Sequence, residues 1–575
     1  MKCMKLFDIE KIKITSILPY FVIVVIALIY ALPQLQIRGI YVGADNAFHF
    51  NRAFEAMSRI KNLNFNNSQI SLYGFNASGR IVNALYGPGL GYFFGLVLLL
   101  TKSWLKFQLV TNFILTIGTM GLSYWLFNKY SKQSFLSLVF AILLSLTSYW
   151  SIGYWYQSSG GMTWGMMLFP LVLDAGMQMC TNKNDPVKVF RLGVVMALIL
   201  ESHMLSFVFS VGVLSVFFVL GMIVNNNRLI LFRRSLFAAI ISLGLTLGYW
   251  ADYISIMRTQ SILNPFVNLN PGNLSSNLYQ GLAFWLLILS IVLIIGLSCK
   301  LLVWQWLLFI VGFIFLLVAS GPKFILDNWN NVGFLRTVQF PMRFTLPGLY
   351  LLSFFVVTML ARLVKELSLR RSSVLAIGVG MLLLASMTIK SAFLNYYGAN
   401  QRFWQDTNYV ISKFSVAKNN QTLMPQMIIQ SKNKNFEKSI DVINFAAPDY
   451  LPGNGDVHYG DKNYGVVNQE IISTQSGFNR NVTKTGNLIV SWHQNAKYKI
   501  TVPVILYHQS VVKFNGNKIN FNTTNNGVLK LMGQSGENTV EVSIQSPIVV
   551  QVAKLSPIVV LILVIGFSVF KRRKR

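Results

Sequence analysis

Charged residues are scarce in this chain of 575 residues, and that scarcity narrows its class. Only 12% of the residues are charged, whereas soluble domains carry roughly 25%. Hydrophobic residues make up 53% of the chain, and the mean hydropathy is +0.51. A soluble globular domain is therefore excluded, and the composition indicates a polytopic membrane protein.

Cysteine is nearly absent as well. The three cysteines, Cys3, Cys180 and Cys299, lie at or near the ends of apolar segments and show no paired spacing. Neither a disulfide framework nor a zinc site is indicated.

Acidic residues are the rarer charged class, with 19 Asp and Glu against 49 Lys and Arg and a formal net charge of +30. Such an excess is also typical of proteins that bind nucleic acid. Here, however, many basic clusters directly abut apolar runs, as cytoplasmic anchors of membrane segments do. We therefore expect membrane lipids as partners and no nucleic acid.

Hydrophobic runs predict about twelve crossings of a hydrocarbon layer roughly 30 Å thick. A further run, "GLGYFFGLVLLL" at 89–100, is short and begins after Gly87-Pro88-Gly89. If this run lies along or dips into the outer leaflet, every basic cluster faces the cytoplasm. The predicted crossings are about 15–33, 107–127, 134–152, 162–179, 188–202, 204–224, 235–254, 280–298, 302–319, 345–364, 373–391 and 556–570.

This topology places both termini in the cytoplasm and the long loops outside. The predicted domains are a transmembrane domain at 1–391 with a first outer loop at 34–106, an extracellular β-rich domain at 392–555, and a C-terminal transmembrane anchor with a basic tail at 556–575. Alternating stretches such as "NLIVSW", "KYKITVPVILY" and "NTVEVSI", separated by "NGN" and "QSGEN" turns, predict a sandwich-like β domain.

A polar stripe opens the first outer loop in "GADNAFHFNRAFEAMSRI". Asp45, His49 and Arg52 are spaced i, i+4 and i+7, so a helix places them on one face. The face is either merely solvated, with Asp45 near the positive end of the helix dipole, or it is part of a site for a polar substrate. In the second case Asp45 is a proton acceptor or a metal ligand, and His49 orients it.

Two further groups of polar residues belong to the outer side in this topology. Glu201 and His203 in "LILESHMLSF" lie at the outward end of an apolar segment, where ionisable residues are expensive and mark functional sites by default. Arg336, Gln339 and Arg343 lie in "GFLRTVQFPMRFTLPG" just before a segment that returns from outside. Arginine forks bind phosphate well, although these arginines can equally anchor lipid head groups, and Glu201 can be a structural or snorkelling group.

The order of these motifs resembles a known family. "DNAFHFNR", then "YGF" and "VNALYGPGLGYF", then "QFPMRF" and "VPVILYHQSVVKFNGNKI" with "GENTVEVSI" resemble YfhO-like and PTPS-related bacterial membrane proteins, which belong with GT-C-type glycosyltransferases. The resemblance covers most of the chain. It implies an acidic residue of the first outer loop near the catalytic centre, which Asp45 matches, juxtamembrane helices, and a sugar donor carried on a polyprenyl phosphate.

A membrane glycosyltransferase is therefore the expected activity, with a lipid-linked sugar donor and a cell-envelope glycan or teichoic-acid-like acceptor. Asp45 would take the acceptor proton, and Arg343 with Arg336 would stabilise the leaving phosphate. The supporting residues are His49, Glu201 and His203 around the reacting groups, and Arg52 and Gln339 in substrate binding.

The expected metal dependence is weak, because the loop offers Asp45 followed by Asn46 rather than paired acidic residues. A divalent metal at Asp45 stays open, and no cofactor is indicated. Two other functions also stay open: a transporter or flippase of a lipid-linked or envelope precursor, although no internal repeat of the kind common in transporters is found, and a non-catalytic membrane scaffold that displays the β domain.

Overall fold

The structure is a computed structural model. It describes residues 14–37, 40, 45–146, 160–264, 266–274, 281–297, 301–368, 370, 372–383, 440, 445, 447–458 and 465–573. Several predictions fall wholly or partly outside these residues, including the cytoplasmic N-terminal segment, the ends of the crossings at 134–152 and 373–391, part of the first outer loop at 41–44, and the first part of the β-rich domain at 392–439.

Helices dominate the described part of the chain up to residue 383 and return at its end. In chain order they are α1 Ile14–Ile37, α2 Asn46–Lys61, α3 Val82–Leu85, α4 Pro88–Thr101, α5 Trp104–Ser131, α6 Ser134–Leu146, α7 Gly161–Met167, α8 Phe169–Thr181, α9 Val189–Ser202, α10 Met204–Val224, α11 Arg228–Thr259, α12 Gly281–Leu297, α13 Val303–Ala319, α14 Lys323–Leu326, α15 Gly333–Val338, α16 Thr345–Glu366, α17 Ser372–Leu383, α18 Ile548–Ala553 and α19 Ser556–Arg573.

Several of these helices suit a membrane. Among the described residues, five are long and apolar enough to cross one, namely Trp104–Ser131, Met204–Val224, Arg228–Thr259, Pro341–Glu366 and Ile548–Gly566, and shorter apolar helices accompany them. The most apolar stretch of Pro341–Glu366 is wholly buried, whereas that of Ile548–Gly566 is only 11% buried. The first is thus a central helix and the second a peripheral one, and the predicted multi-pass membrane protein is confirmed.

The short run at 89–100 is helix α4. It has 14 residues, which at about 1.5 Å per residue span about 21 Å, less than the roughly 30 Å of hydrocarbon. It packs against the polar helix α2, where a Cβ on Gly95 would lie 2.6 Å from the Met57 nitrogen. Other apolar helices, such as α6 and α9, are equally short, so the position of α4 relative to a membrane stays a prediction.

Loops predicted to face the cytoplasm meet at one end of the helices. Buried Asp174 of α8 pairs with Lys129 of α5 and lies 3.1 Å from Arg191 of α9. Asp185 pairs with Lys188 and with Arg234 of α11. The basic loops after α5, after α8 and before α11, which the positive-inside rule places on the cytoplasmic side, are therefore neighbours in the folded protein.

Two antiparallel sheets follow the long segment after α17. The strands are β1 Asn479–Val482, β2 Leu488–Gln494, β3 Lys499–Ile505, β4 Ser510–Phe514, β5 Asn517–Ile519, β6 Asn522–Thr523, β7 Val528–Met532 and β8 Gly536–Ile544. One sheet has the order β1-β2-β8-β4-β5 and the other β3-β7-β6. Apolar residues of both sheets, among them Val490, Val540 and Leu529, share one core, as expected for packed sheets. The β-rich prediction is confirmed.

The first outer loop packs into this β core. Ile70, Leu72 and Ile81 belong to the same buried cluster as the strands. The Ile505 N–H donates to the Ser78 carbonyl at 2.7 Å, and Asn67 Nδ2 donates to the Gly486 carbonyl at 2.8 Å. The sheets therefore hold the loop that connects α2 to α4.

The end of the chain returns to helix α11 next to this loop. Lys554 Nζ lies 3.0 Å from Asp252 Oδ2. Gln69 Nε2 donates to Asp252 Oδ1 at 2.9 Å and to Ser546 Oγ at 2.6 Å. We call these four residues the clasp, because they join the outer loop, α11 and the segment after the last strand.

Candidate functional site

Helix α2 is anchored by a buried ion pair that the sequence analysis did not single out. Arg59 Nε donates to Glu55 Oε1 at 2.6 Å, and Arg59 also donates to the carbonyls of Asn64, Asn66, Asn67 and Ile70. Glu55 in turn accepts from the backbone N–H groups of residues 72, 73 and 74. The loop after α2 is thereby wrapped onto the helix, which fixes the direction of its polar stripe.

The polar stripe is not a solvated face. His49 is 4% and Arg52 is 2% exposed, whereas Asp45, which immediately precedes the helix, keeps accessible surface. Burial holds the pKa of His49 well below its usual range, and the charges of Arg52 and His203 lower it further. The His49 imidazole is therefore neutral at pH 7.

Arg52 links α2 to the start of α4. Its Nη2 donates to the Gly87 carbonyl at 2.6 Å, and its guanidinium carbon lies 4.3 Å from the centre of the Tyr86 ring. Within the described residues, its Nε and Nη1 are buried without a hydrogen-bond partner. Part of this guanidinium is thus available to a ligand.

Glu201 and His203 sit at the break between α9 and α10. Glu201 Oε2 accepts from the Gly89 N–H at 2.8 Å, and a Cβ on Gly87 would lie 2.7 Å from the Glu201 Cα. His203 caps α10, its Nδ1 accepting from the Ser206 N–H at 3.2 Å. Glycines at 87 and 89 let α4 begin directly against Glu201, whose negative charge favours the charged form of Arg52.

Tyr86 lies between the two histidines. Its ring centre is 5.9 Å from that of His49 and 6.2 Å from that of His203. The residues of the first outer loop and those of the α9–α10 break, predicted separately from the sequence, therefore belong to one cluster.

Arg343 joins the same cluster from the segment before α16. Its Nη1 donates to the Val338 carbonyl at 3.0 Å, and its guanidinium carbon lies 5.0 Å from the Phe340 ring centre. Its charge acts on both His203 and Asp45. Burial raises the pKa of the Asp45 carboxyl, and Arg343 opposes the rise.

Arg336 and Gln339 have partners of a different kind. Arg336 forms an ion pair with Asp456. Gln339 Nε2 donates to the Phe266 carbonyl at 2.6 Å. Among the described contacts neither side chain reaches Asp45, His49 or Arg52, so these two residues hold the outer segments together around the cluster.

The sequence analysis missed Asp449, Tyr450 and Arg80. Phe48 of α2 has the ring of Tyr450 at 6.1 Å and that of Phe445 at 5.2 Å, so the segment before the strands reaches the start of α2. Burial raises the pKa of Asp449 to about 6; the charge of Arg80 opposes this rise and that of Asp45 adds to it. Asp449 and Asp45 are thus neighbouring carboxylates from distant parts of the chain.

Asp45 and Asp449 combine accessible surface with a raised pKa. Both keep accessible surface, yet burial is the main cause of the raised pKa of each carboxyl. Each carboxyl is therefore accessible to a polar substrate, while the protein around it disfavours its ionised form.

The described residues do not form a ready metal site. They contain no group of three or more His, Cys, Asp and Glu side chains that could hold a metal ion. Hard divalent cations take six or more oxygen ligands, often including several carboxylates or waters. Asp45 and Asp449 alone do not make up such a set.

The chain is similar in structure to ArnT from Cupriavidus metallidurans bound to undecaprenyl phosphate, with 12% identity, a TM-score of 0.39, and coverage of 73% of this chain and 70% of that chain. It is also similar to the apo oligosaccharyltransferase of Archaeoglobus fulgidus, with 11% identity, a TM-score of 0.40, and coverage of 71% of this chain and 59% of that chain. No family model matches, and no curated protein sequence matches. The reaction therefore has to be inferred from the site itself.

Proposed function

We propose that the chain is a GT-C-like membrane glycosyltransferase that moves a sugar from a polyprenyl-phosphate donor to a cell-envelope acceptor on the extracellular side. One observation carries the proposal: Asp45 and Arg343, which come from distant segments, lie close enough for their charges to interact, and Arg343 also lies near His203. A carboxylate beside a guanidinium is what the displacement of a phosphate by a hydroxyl requires.

In the proposed reaction Asp45 is the general base. The acceptor hydroxyl gives its proton to the Asp45 carboxylate while its oxygen forms a bond to the anomeric carbon of the sugar. The bond from that carbon to the phosphate oxygen breaks, and the electron pair leaves with the lipid phosphate. A carboxyl whose pKa is raised by burial is a better proton acceptor near neutral pH than an ordinary aspartate.

Arg343 stabilises the charge that develops on the leaving phosphate. It lies just before α16, in the segment that returns from the outer side in the proposed topology. The partly unpaired guanidinium of Arg52 offers further donors for the phosphate or the sugar. Neutral His49 and His203 line the same space, and Glu201 balances the charge of Arg52.

The proposal is tested by the cell-envelope polymers that the protein modifies. A strain lacking the gene is complemented with wild type, with Asp45→Asn, or with Asp327→Asn, which alters an exposed carboxylate of the outer segment at 320–344. Mass spectrometry should find a sugar substituent with wild type and Asp327→Asn. With Asp45→Asn the transfer rate should fall about 100-fold or more, the scale of general-base catalysis.

Two results would overturn the proposal. Full modification by a normally expressed Asp45→Asn variant would exclude this residue as the base. Envelope polymers that are identical with and without the gene, together with a lipid-linked precursor retained on the inner leaflet of the deletion strain, would favour a flippase instead.

A further inference from the structure

Arg80 is a buried arginine whose guanidinium is not used by the fold. The residue is 1% exposed, and its backbone is fixed by two hydrogen bonds with Ser71. Within the described residues its guanidinium makes no hydrogen bond, and its Nε and Nη1 are closed off from solvent. Buried donors without partners are costly, so a group retained in this state is expected to receive a ligand.

The surroundings of Arg80 compensate its charge without occupying its donors. Asp449 is near enough for the two charges to interact, yet no hydrogen bond joins them among the described residues. The rings of Phe75 and Phe445 lie 5.8 Å and 5.6 Å from the guanidinium carbon. Asp449 thus balances the charge of the Arg80 guanidinium, and two aromatic rings lie near it. Its Nε–H and Nη1–H groups have no hydrogen-bond partner within the described residues.

Arg80 belongs to the β-domain side of the cluster. Its loop is held by the bond from the Ile505 N–H to Ser78, and Tyr507, which donates to the Tyr450 carbonyl at 2.8 Å, is close to it. Arg343 comes from a different segment, in the short turn Pro341–Phe344 just before the central helix. Arg80 interacts with Asp449 and Arg343 interacts with Asp45, so each of the two neighbouring carboxylates has its own arginine.

We propose that Arg80 binds an oxyanion, a carboxylate or a phosphate, carried by the acceptor, which enters from the β-domain side. The planar guanidinium matches the paired oxygens of either group. This inference rests on the proposed function for its assignment to the acceptor. The binding itself is measurable without any transfer reaction.

The test measures binding to the full-length protein in detergent by isothermal titration calorimetry. The probes are D-glucuronate for a carboxylate, glycerol 3-phosphate for a phosphate, and D-glucose as the neutral control. We expect one or both anions to bind and glucose not to bind at the same concentrations. The stronger anion identifies the class of acceptor.

Variants separate a ligand site from a packing role. Arg80→Lys and Arg80→Gln should weaken anion binding by about tenfold or more, because the planar pair of donors is lost. Asp449→Asn should strengthen binding several-fold, since it removes a like charge beside the anion. Arg480→Lys is the control, because Arg480 of β1 also has a buried Nε without a partner but lies outside this cluster.

The Arg80 variants should weaken anion binding, whereas Asp449→Asn should strengthen it. Asp449→Asn therefore still tests the proposal if an Arg80 variant fails to fold. Anion binding that is unaltered in folded Arg80→Lys, or that weakens in Asp449→Asn, would overturn it, as would equal binding of glucose and the anions. Asp45→Asn should still bind the anion. If it does while transfer by the wild type cannot be found, the proposed reaction has failed and the anion site stands.

Discussion

At the scale of single residues, two buried arginines differ in whether their guanidinium groups are hydrogen-bonded. Arg59 and Arg80 are both buried in the first outer loop. Arg59 donates to Glu55 and to four carbonyls, whereas the guanidinium of Arg80 donates to nothing within the described residues. The two residues are equally buried, but within the described residues only Arg80 keeps guanidinium N–H groups without a hydrogen-bond partner.

Asp449 yields a prediction about pH. Burial raises its pKa from 3.8 to about 6, so ionising it costs free energy in the folded protein. Its favourable contribution is present below pH 3.8 and is lost as the pH rises through about 6. The free energy of unfolding of wild type, relative to Asp449→Asn, should therefore fall by about 1 to 3 kcal/mol between pH 4 and pH 7.5.

The measurement is chemical unfolding of both proteins in detergent at pH 4, 6 and 7.5. Asp327→Asn, which replaces an exposed carboxylate, should follow the wild-type profile at all three values. Parallel pH profiles for wild type and Asp449→Asn would show that this carboxyl ionises freely.

At the scale of helices, close contacts at glycine decide how α4 sits in the protein. Gly95 meets the backbone of α2, Gly91 meets the guanidinium of Arg52, and Gly87 and Gly89 meet Glu201. These contacts place the first turns of α4 between the polar stripe and the α9–α10 break. The geometry of the site thus depends on a helix that contributes no charged group to it.

Gly95→Ala should separate α2 from α4. The added Cβ would lie 2.6 Å from the Met57 nitrogen and 2.7 Å from the Ala56 Cβ. Because the Met57 nitrogen is a backbone atom of α2, the clash can be relieved only by moving one of the two helices. We expect a loss of about 1 to 3 kcal/mol, the range typical of overpacking, with a lower melting temperature and reduced transfer. Gly121→Ala in α5 is the control, because nothing lies within 4 Å of its added Cβ.

For that control, the melting temperature should stay the same or rise slightly, since alanine favours helix over glycine. Equal melting temperatures for Gly95→Ala and wild type would mean that α4 can shift away from α2 without loss.

Much of this arrangement could be predicted from the sequence, and the failures have physical causes. Hydropathy placed the apolar helices and alternation placed the strands, because both patterns follow directly from burial. The predicted single crossing at 162–179 is two helices, α7 and α8, since Pro170 lacks the N–H that a continuous helix needs. Pro170 is visible in the sequence, but hydropathy averaged over the apolar run does not register it.

Some residues of the candidate cluster can be recognised in the sequence for the same reason. Asp45, His49 and Arg52 share a helical period, and Glu201 stands out in an apolar run, so each is visible locally. Asp449 looks like an ordinary turn residue in "APDYLPG", and Arg80 looks like one in "ASGRI". Their proximity arises from contacts between the outer loop and the strands, which no local pattern records.

At the scale of the whole molecule, the helices separate two kinds of polar surface. Ion pairs of Asp174 and Asp185 with basic residues gather at one end. The residues of the candidate site and the β sheets contact each other through the outer loop. Charge parity assigns the first end to the cytoplasm, and the orientation follows as a prediction.

Cysteine labelling checks that orientation. In a chain whose three native cysteines are replaced by serine, Asn454→Cys should react with a membrane-impermeant maleimide in intact cells, because residue 454 is exposed beside the β domain. Lys365→Cys, exposed at the end of α16, should react only after the cells are opened. The reverse pattern would invert the topology and place the site in the cytoplasm.

The clasp has a consequence for the order in which the protein is made. Gln69 bonds to Ser546, a separation of 477 residues, and Lys554 reaches back to Asp252. Contacts this distant along the chain form late, so the outer loop stays without its final partners until the strands have been synthesised. Asp449, held by the same strands through Tyr450, joins Asp45 only at that stage, and under the proposed function a ribosome-bound intermediate has no finished site.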